Sequence, residues 1–363
     1  MNLSFNESGE SLNDFKFTFE YYLDYSRDIE VDSNPSRDDV SETVSLTESI
    51  YEFQKENGRT YHAYRAGMYH YPNDTPEVDR LEFQYDILKV ILDGRNYLAP
   101  WSQENPPRKV LDIATGTGCW AIDMGDEFPE AQIIGTDLSP IQNNLVPPNV
   151  QFVIDDATDE WPKSPDWSDF CYIHTRVTMG CWSDMLNQVI RPAFDHLRPG
   201  GYLESQELMG LLECDDGTVA PTNHFKQWCD DIVEASIAAD RPLPFADSMK
   251  RWYEEAGFVD VQEKVYKVPI NRWPGVQKLK MLGEMFHANM ESGLQAFSYA
   301  LLHRVKGMSQ EEIEVSLVNV RKDMADQHVH AYIKFYVVWG RKPDNAATPQ
   351  SEPHAADMDM SNG

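Results

Sequence analysis

The stretch Lys109-Val-Leu-Asp-Ile-Ala-Thr-Gly-Thr-Gly118 decides how the rest of the chain is read. An apolar run enters a turn with two glycines, and Ala121 stands where a dinucleotide-type fingerprint has its third glycine or an alanine. Gly116 and Gly118 let the backbone turn sharply and approach a ligand with no Cβ in the way. Alone, a G-x-G-x-x-A turn fits a dinucleotide site and also occurs with no ligand. Outward from it, β-rich apolar runs at 109–113, 132–136, 150–154, 170–174 and 201–207 alternate with helical patterns. Such alternation predicts βαβ units and a parallel sheet. One helix is plain: Met185, Leu186, Val189, Ile190, Phe194 and Leu197 recur at three- and four-residue steps, with Ser183 as its expected cap. A mainly helical stretch is expected from Glu207 to Gly257, then strands at 258–269 and 330–340 around a helical insertion at about 275–325. Five parallel strands and a closing pair make seven.

Three carboxylates sharpen the glycine turn. Asp112 lies four residues before Gly116, where a pyrophosphate would be repelled but a cationic amino group welcomed. Asp137 ends the next strand, nineteen residues past Gly118, where an acid can accept from ribose hydroxyls. Asp155 and Asp156 follow the third strand, where a carboxylate can accept from an adenine amino group. In a chain with 60 Asp and Glu, one such acid would be uninformative. Three at the ends of consecutive strands point to a nucleoside carrying a cationic amino acid, which is S-adenosylmethionine. Open parallel sheets bind ligands beyond those strand ends.

With these residues in view, the sequence resembles the class I S-adenosylmethionine-dependent methyltransferases, and within them the fungal LaeA-like methyltransferases of secondary metabolism. The resemblance covers roughly residues 45–343. It rests on the glycine turn, on Gly135-Thr-Asp-Leu-Ser-Pro140, on Val153-Ile-Asp-Asp156 and on Leu197-Arg-Pro-Gly-Gly-Tyr-Leu-Glu204. The narrower family rests on Glu56-Asn-Gly-Arg-Thr-Tyr-His-Ala-Tyr-Arg65 and on Val337-Val-Trp-Gly-Arg-Lys-Pro343. Beside the N-terminal helical lid and the substrate-capping helical insertion expected from the residues themselves, it implies an α/β fold with a seven-stranded Rossmann-like sheet whose last strand is antiparallel. It implies a cofactor site of Asp112, Gly116, Gly118, Asp137, Leu138, Asp155 and Asp156, and either methylation of a fungal metabolite or a regulatory role in its production. No N/D-P-P-Y/W motif follows the fourth strand, so methylation of a DNA base is not expected.

Candidates for the chemistry are fewer. His174 ends the fourth strand and is the expected base; it would otherwise be a hydrogen-bonded histidine at a strand terminus. Tyr61, His62, Tyr64 and Arg65 precede the sheet, and a lid would bring Arg65 or a tyrosine hydroxyl to the cofactor's carboxylate; the alternative is an aromatic face packed on the core. In the insertion, Met281, Met285, Phe286 and Met290 suit an adaptable apolar pocket, and His287 and His303 are further candidate bases.

Composition bounds the remainder. The 363 residues carry 31 Lys and Arg against 60 Asp and Glu, a formal net charge of −29. That disfavours a surface that grips nucleic acid or an anionic membrane. No apolar run approaches the roughly 20 residues that span a bilayer, and the N-terminus lacks the pattern of a secretory signal. The five cysteines are scattered, so neither a disulfide framework nor a metal site is expected. Residues 1–50 hold 12 acids and 3 bases, so 1–44 reads as a mostly disordered acidic segment whose aromatics could dock a partner. Residues 45–343 read as one domain and 344–363 as a loose tail. The expected partner is a small-molecule acceptor in a cytoplasmic protein. The competing reading is a nuclear regulator bound to protein partners.

Overall fold

In the computed structural model, which describes residues 50–143 and 145–344, the quoted stretch lies at the centre of the main sheet. A hairpin of β1 (Gln54–Glu56) and β2 (Arg59–Tyr61) leads to helix α1 (Thr75–Ile91). Then follow β3 (Lys109–Ile113), α2 (Cys119–Glu127), β4 (Gln132–Asp137), β5 (Val150–Ile154) and β6 (Phe170–Arg176). After these come α3 (Arg191–His196), β7 (Leu197–Cys214), α4 (His224–Ala238), α5 (Met249–Ala256) and β8 (Val259–Pro269). Helices α6 (Gln277–Lys306) and α7 (Gln310–Met324) precede β9 (Ala331–Arg341).

The seven strands lie in the order β5-β4-β3-β6-β7-β9-β8. Neighbours from β5 through β7 pair in parallel, and β9 runs antiparallel to both β7 and β8. The expected seven-stranded sheet with an antiparallel last strand is therefore observed. The order reverses at β3, so the crevice beyond β3, β4 and β6 is a topological switch point. Strand alternation sorts the core onto two faces. Val110 packs with Trp120, Met124 and Tyr172 under α2. Leu111, Ile113 and Ile173 pack with Val189, Leu203 and Tyr253 on the other side.

Several local readings differ. Strand β7 does not stop at Glu207 but continues to Cys214, paired along β9. Leu208–Leu212 is an apolar run without a clear period; its long partner decides for strand, and Gly210 takes φ 70° at the register shift. The helix expected over 185–197 opens with a π-helical turn at Leu186–Ile190 and ends at His196. Asp184, not Ser183, caps its start by accepting from the Asn187 N–H at 3.1 Å. The segment holding Tyr61–Arg65 is not helical: it is the end of the hairpin and a loop, and the helix begins only at Thr75. Asp74 caps that helix and also ion-pairs with Arg59 at 2.5 Å, which fixes the hairpin to α1. No helix among the described residues is long and apolar enough to cross a membrane. The acidic segment 1–44 and, Asp344 apart, the C-terminal tail lie outside the described residues.

Candidate active site

Beyond the carboxyl ends of β3, β4, β5 and β6 opens a cleft with about 1310 Å³ of space, its mouth included. Its floor is the glycine turn. Ala114 at φ 54°, Gly116 at 58° and Gly118 at 81° hold the chain in left-handed conformations. Such a conformation costs an alanine of order 1–3 kcal/mol. A Cβ on Gly118 would lie 2.4 Å from the Phe152 ring, so only glycine fits there.

The sequence-predicted acids reach this cleft in different states. Asp112, Asp137, Asp155 and Asp156 all line it, with Gly116 and Leu138. Asp137 accepts the Gly116 N–H at 2.8 Å on one oxygen and the Ser139 N–H at 2.9 Å on the other. Burial pushes its pKa up to about 6 against those two donors, and the charge of Asp112 adds to the rise. Each oxygen keeps a lone pair for a ligand hydroxyl. Burial raises the pKa of Asp155, which the Asp156 N–H opposes and neighbouring Asp156 and Asp159 reinforce. Asp156 is turned into its own loop, accepting from the Thr158 N–H at 3.0 Å and hydroxyl at 2.7 Å. Of the two, Asp155 is thus the freer acceptor.

His174 does not line the cleft, which corrects its expected role as base. It is fully buried behind Asp112, its Nδ1 2.8 Å from Asp112 Oδ1. Its ring stacks on Trp120 at 3.7 Å between centroids and 6° between planes. Burial lowers its pKa to about 4 despite the neighbouring carboxylate, so the ring is neutral near pH 7. Nδ1 faces a carboxyl oxygen, so it carries the ring proton and donates it. The Thr115 hydroxyl donates to the other Asp112 oxygen at 2.5 Å. His174 and Thr115 therefore orient Asp112, and the sequence could not show that Trp120 walls the ring off.

Tyr64 and Arg65 do not line the cleft either. Arg65 lies at the rim, contacting Asp159 and, at 3.5 Å, Asp156. The loop after them does reach in, through Met68, Tyr69, Tyr71, Pro72 and Asn73, and Asn73 touches Ser139 at 3.4 Å. Gln84, Tyr85, Trp120, Arg176 and Arg241 also line the cleft; none carries a motif that marks it as a binding residue, although Arg176 stands two residues after His174.

A second space of about 810 Å³ adjoins the first and shares Tyr69, Tyr71, Leu81, Gln84 and Val177 with it. Its remaining walls are mainly apolar, among them Leu208, Trp228, Ile232, Met290 and Phe297. Arg80 also borders it, but its guanidinium is bound to Glu77 at 2.7 and 3.0 Å and lies over the Phe297 ring. Of the insertion residues singled out in the sequence, Phe286 and Met290 line this chamber. His287 and His303 do not; His287 faces Glu291 at 3.8 Å and His303 bonds the Met308 carbonyl at 2.8 Å.

A family model described as a methyltransferase domain matches residues 83–263. The chain is 38% identical over 317 residues to the methyltransferase pytC of Aspergillus terreus, covering 87% of this chain and 96% of that one. It is 32% identical over 295 residues to the secondary metabolism regulator LAE1 of Cochliobolus heterostrophus, covering 79% and 94%. It is 29% identical over 296 residues to the protein-methionine methyltransferase laeA of Emericella nidulans, covering 80% and 77%.

Proposed function

The chain belongs to the fungal LaeA-like, S-adenosylmethionine-dependent methyltransferases, and from that premise we propose that it methylates an O or N atom of a small secondary metabolite during its biosynthesis. When bound, S-adenosylmethionine supplies an electrophilic methyl group on a sulfonium. In our reading Asp137 accepts from the ribose hydroxyls, Asp155 from the adenine amino group, and Asp112 from the ammonium. Leu138, Ile141 and Ala157, which line the same end of the cleft, suit an adenine face. The donor set fits the molecule: three acceptors at adjacent strand ends, with Asp112 prepared by His174 and Thr115.

The observation that carries the choice of acceptor is the chamber. It adjoins the cleft across shared walls, and its lining is mainly aromatic and aliphatic. Burying apolar acceptor surface there contributes roughly 25 cal/mol per Å². Burial raises the pKa of Tyr69, Tyr71 and Cys229 in its walls, so these groups stay protonated near neutrality. The chain's main contribution is then alignment of acceptor and methyl, which can supply several kcal/mol, on the order of 7–11 at its best.

A second reading is favoured by the names of two relatives, the regulator LAE1 and the protein-methionine methyltransferase laeA. In that reading the acceptor is a protein, and the acidic N-terminal segment docks a nuclear partner. Radiolabelled methyl transfer from S-adenosylmethionine separates the two. We expect label in the small-molecule fraction of an extract from the producing organism. Label confined to the protein fraction would replace the metabolite with a protein acceptor.

A further inference from the structure

We propose that Arg176 binds the carboxylate of the cofactor's amino-acid end, beside the ammonium site at Asp112. This rests on the cleft being the S-adenosylmethionine site. Arg176 ends β6 two residues after His174, on the same face of the strand, and His174 is the cross-strand partner of Asp112. Arg176 and Asp112 both line the cleft.

The Arg176 guanidinium is held in place yet chemically incomplete. Its Nη2 donates to the Asn96 carbonyl at 2.8 Å, and its Cζ lies 5.2 Å from the Tyr85 ring centre. The same carbonyl accepts from the Trp120 indole at 2.9 Å and from Gln206 at 3.0 Å, so the anchor is itself fixed. Its Nε and Nη1 are buried with no hydrogen-bond partner. The acids around it are engaged elsewhere. Asp112 holds His174 and Thr115, and Glu204 accepts from the Leu98 and Ala99 N–H groups and from Gln206. The Gln206 oxygen is also without a partner, on the strand beside Arg176. It can accept one N–H but brings no charge.

Two N–H groups of a permanently charged fork thus await an anion, one strand over and two positions on from an acid that suits an ammonium. A ligand carrying both charges on one carbon is an α-amino acid. Arg65, which the sequence reading offered for the carboxylate alongside a tyrosine hydroxyl, is instead at the rim with Asp156 and Asp159.

Calorimetry on the full chain tests this with three ligands: S-adenosylmethionine, its decarboxylated form, and 5′-methylthioadenosine, which lacks the amino-acid end. Wild type should prefer S-adenosylmethionine to the decarboxylated form by about 10- to 100-fold, the range of a charge-assisted pair of hydrogen bonds. Arg176→Met should erase that preference and leave 5′-methylthioadenosine binding unchanged. Arg176→Gln, which can still donate to Asn96, gives the same reading if the Met variant does not fold. The proposal is overturned by a variant that keeps the preference, by one that weakens all three ligands alike, or by a wild type that never discriminates. A wild type that binds none of the three would instead remove the cofactor reading of the cleft.

Discussion

In the cleft, Asp112, Asp137, Asp155 and Arg176 stand at the ends of four adjacent strands, and the hydrogen-bonded sheet fixes their spacing. The chamber next to it takes its walls from the loop at 69–71, from α1, the far half of β7, α4 and α6. The first region carries its charged groups on neighbours in the ladder; the second is more apolar and assembled mainly by helices that meet only on folding. The difference separates two tasks. Strand ends can hold one cofactor in a rigid register, while helix faces can be recut for different acceptors without disturbing it. Damage in one region should then leave the other working.

The largest effect expected is on the cleft. Asp137→Ala removes the acceptor of the Gly116 and Ser139 N–H groups together with the proposed ribose contact. S-adenosylhomocysteine affinity should fall by about 1.5–3 kcal/mol, or more. The acceptor's KM at saturating cofactor should hardly change. Calorimetry and steady-state kinetics read the two halves separately. The converse break is Met290→Trp, which fills the chamber from α6. The indole takes up volume the acceptor would otherwise fill, so we expect acceptor KM or turnover to worsen by about tenfold, roughly 1.4 kcal/mol, while S-adenosylhomocysteine binds as in wild type. Equal losses of both activities would join the two regions again.

Acid titration sharpens the contrast within the cleft. Asp137 has a raised pKa near 6, so its contribution favours the folded protein at low pH and is lost as pH rises through that value. His174 has the opposite sign: its pKa is lowered to about 4, so its contribution is complete above the unfolded value of about 6.5 and fades as pH falls toward 4. Ligand hydroxyls favour the charged Asp137, so cofactor affinity should drop by up to tenfold per unit below pH 6. Asp137→Asn should flatten that affinity profile. His174→Asn should flatten the loss of Tm between pH 6.5 and 4, with a smaller effect on affinity. An affinity profile that stays steep in Asp137→Asn would assign the titration to another group.

The same contrast explains what the sequence made legible. Strand ends are local, so the glycine turn, Asp112, Asp137 and Asp155 could be read from a strand and the few residues after it. The seven strands were visible because most are β-rich runs between turns, although the ambiguous run after Glu207 hid the second half of β7. Chamber residues such as Tyr71, Trp228 and Phe297 carry no mark that tells a cavity wall from ordinary core. The roles of His174 and Arg176 were hidden for a related reason. Both lie at the end of the strand that sequence placed at the site, but only the packing of Trp120, and the Asn96 carbonyl from a loop eighty residues earlier, shows one ring walled off and the other side chain bordering the cleft. The lid reading named Arg65, which pairs with rim acids, whereas the residues of that region that line the cleft are Met68, Tyr69 and Tyr71 to Asn73.

The most direct measurement is a crystal structure of the full chain with S-adenosylhomocysteine. We predict ribose hydroxyls within hydrogen-bond distance of Asp137, the adenine amino group at Asp155, and the ammonium at Asp112. A nucleoside bound elsewhere, or those three carboxylates turned to solvent with the ligand absent from the crevice, would contradict the account.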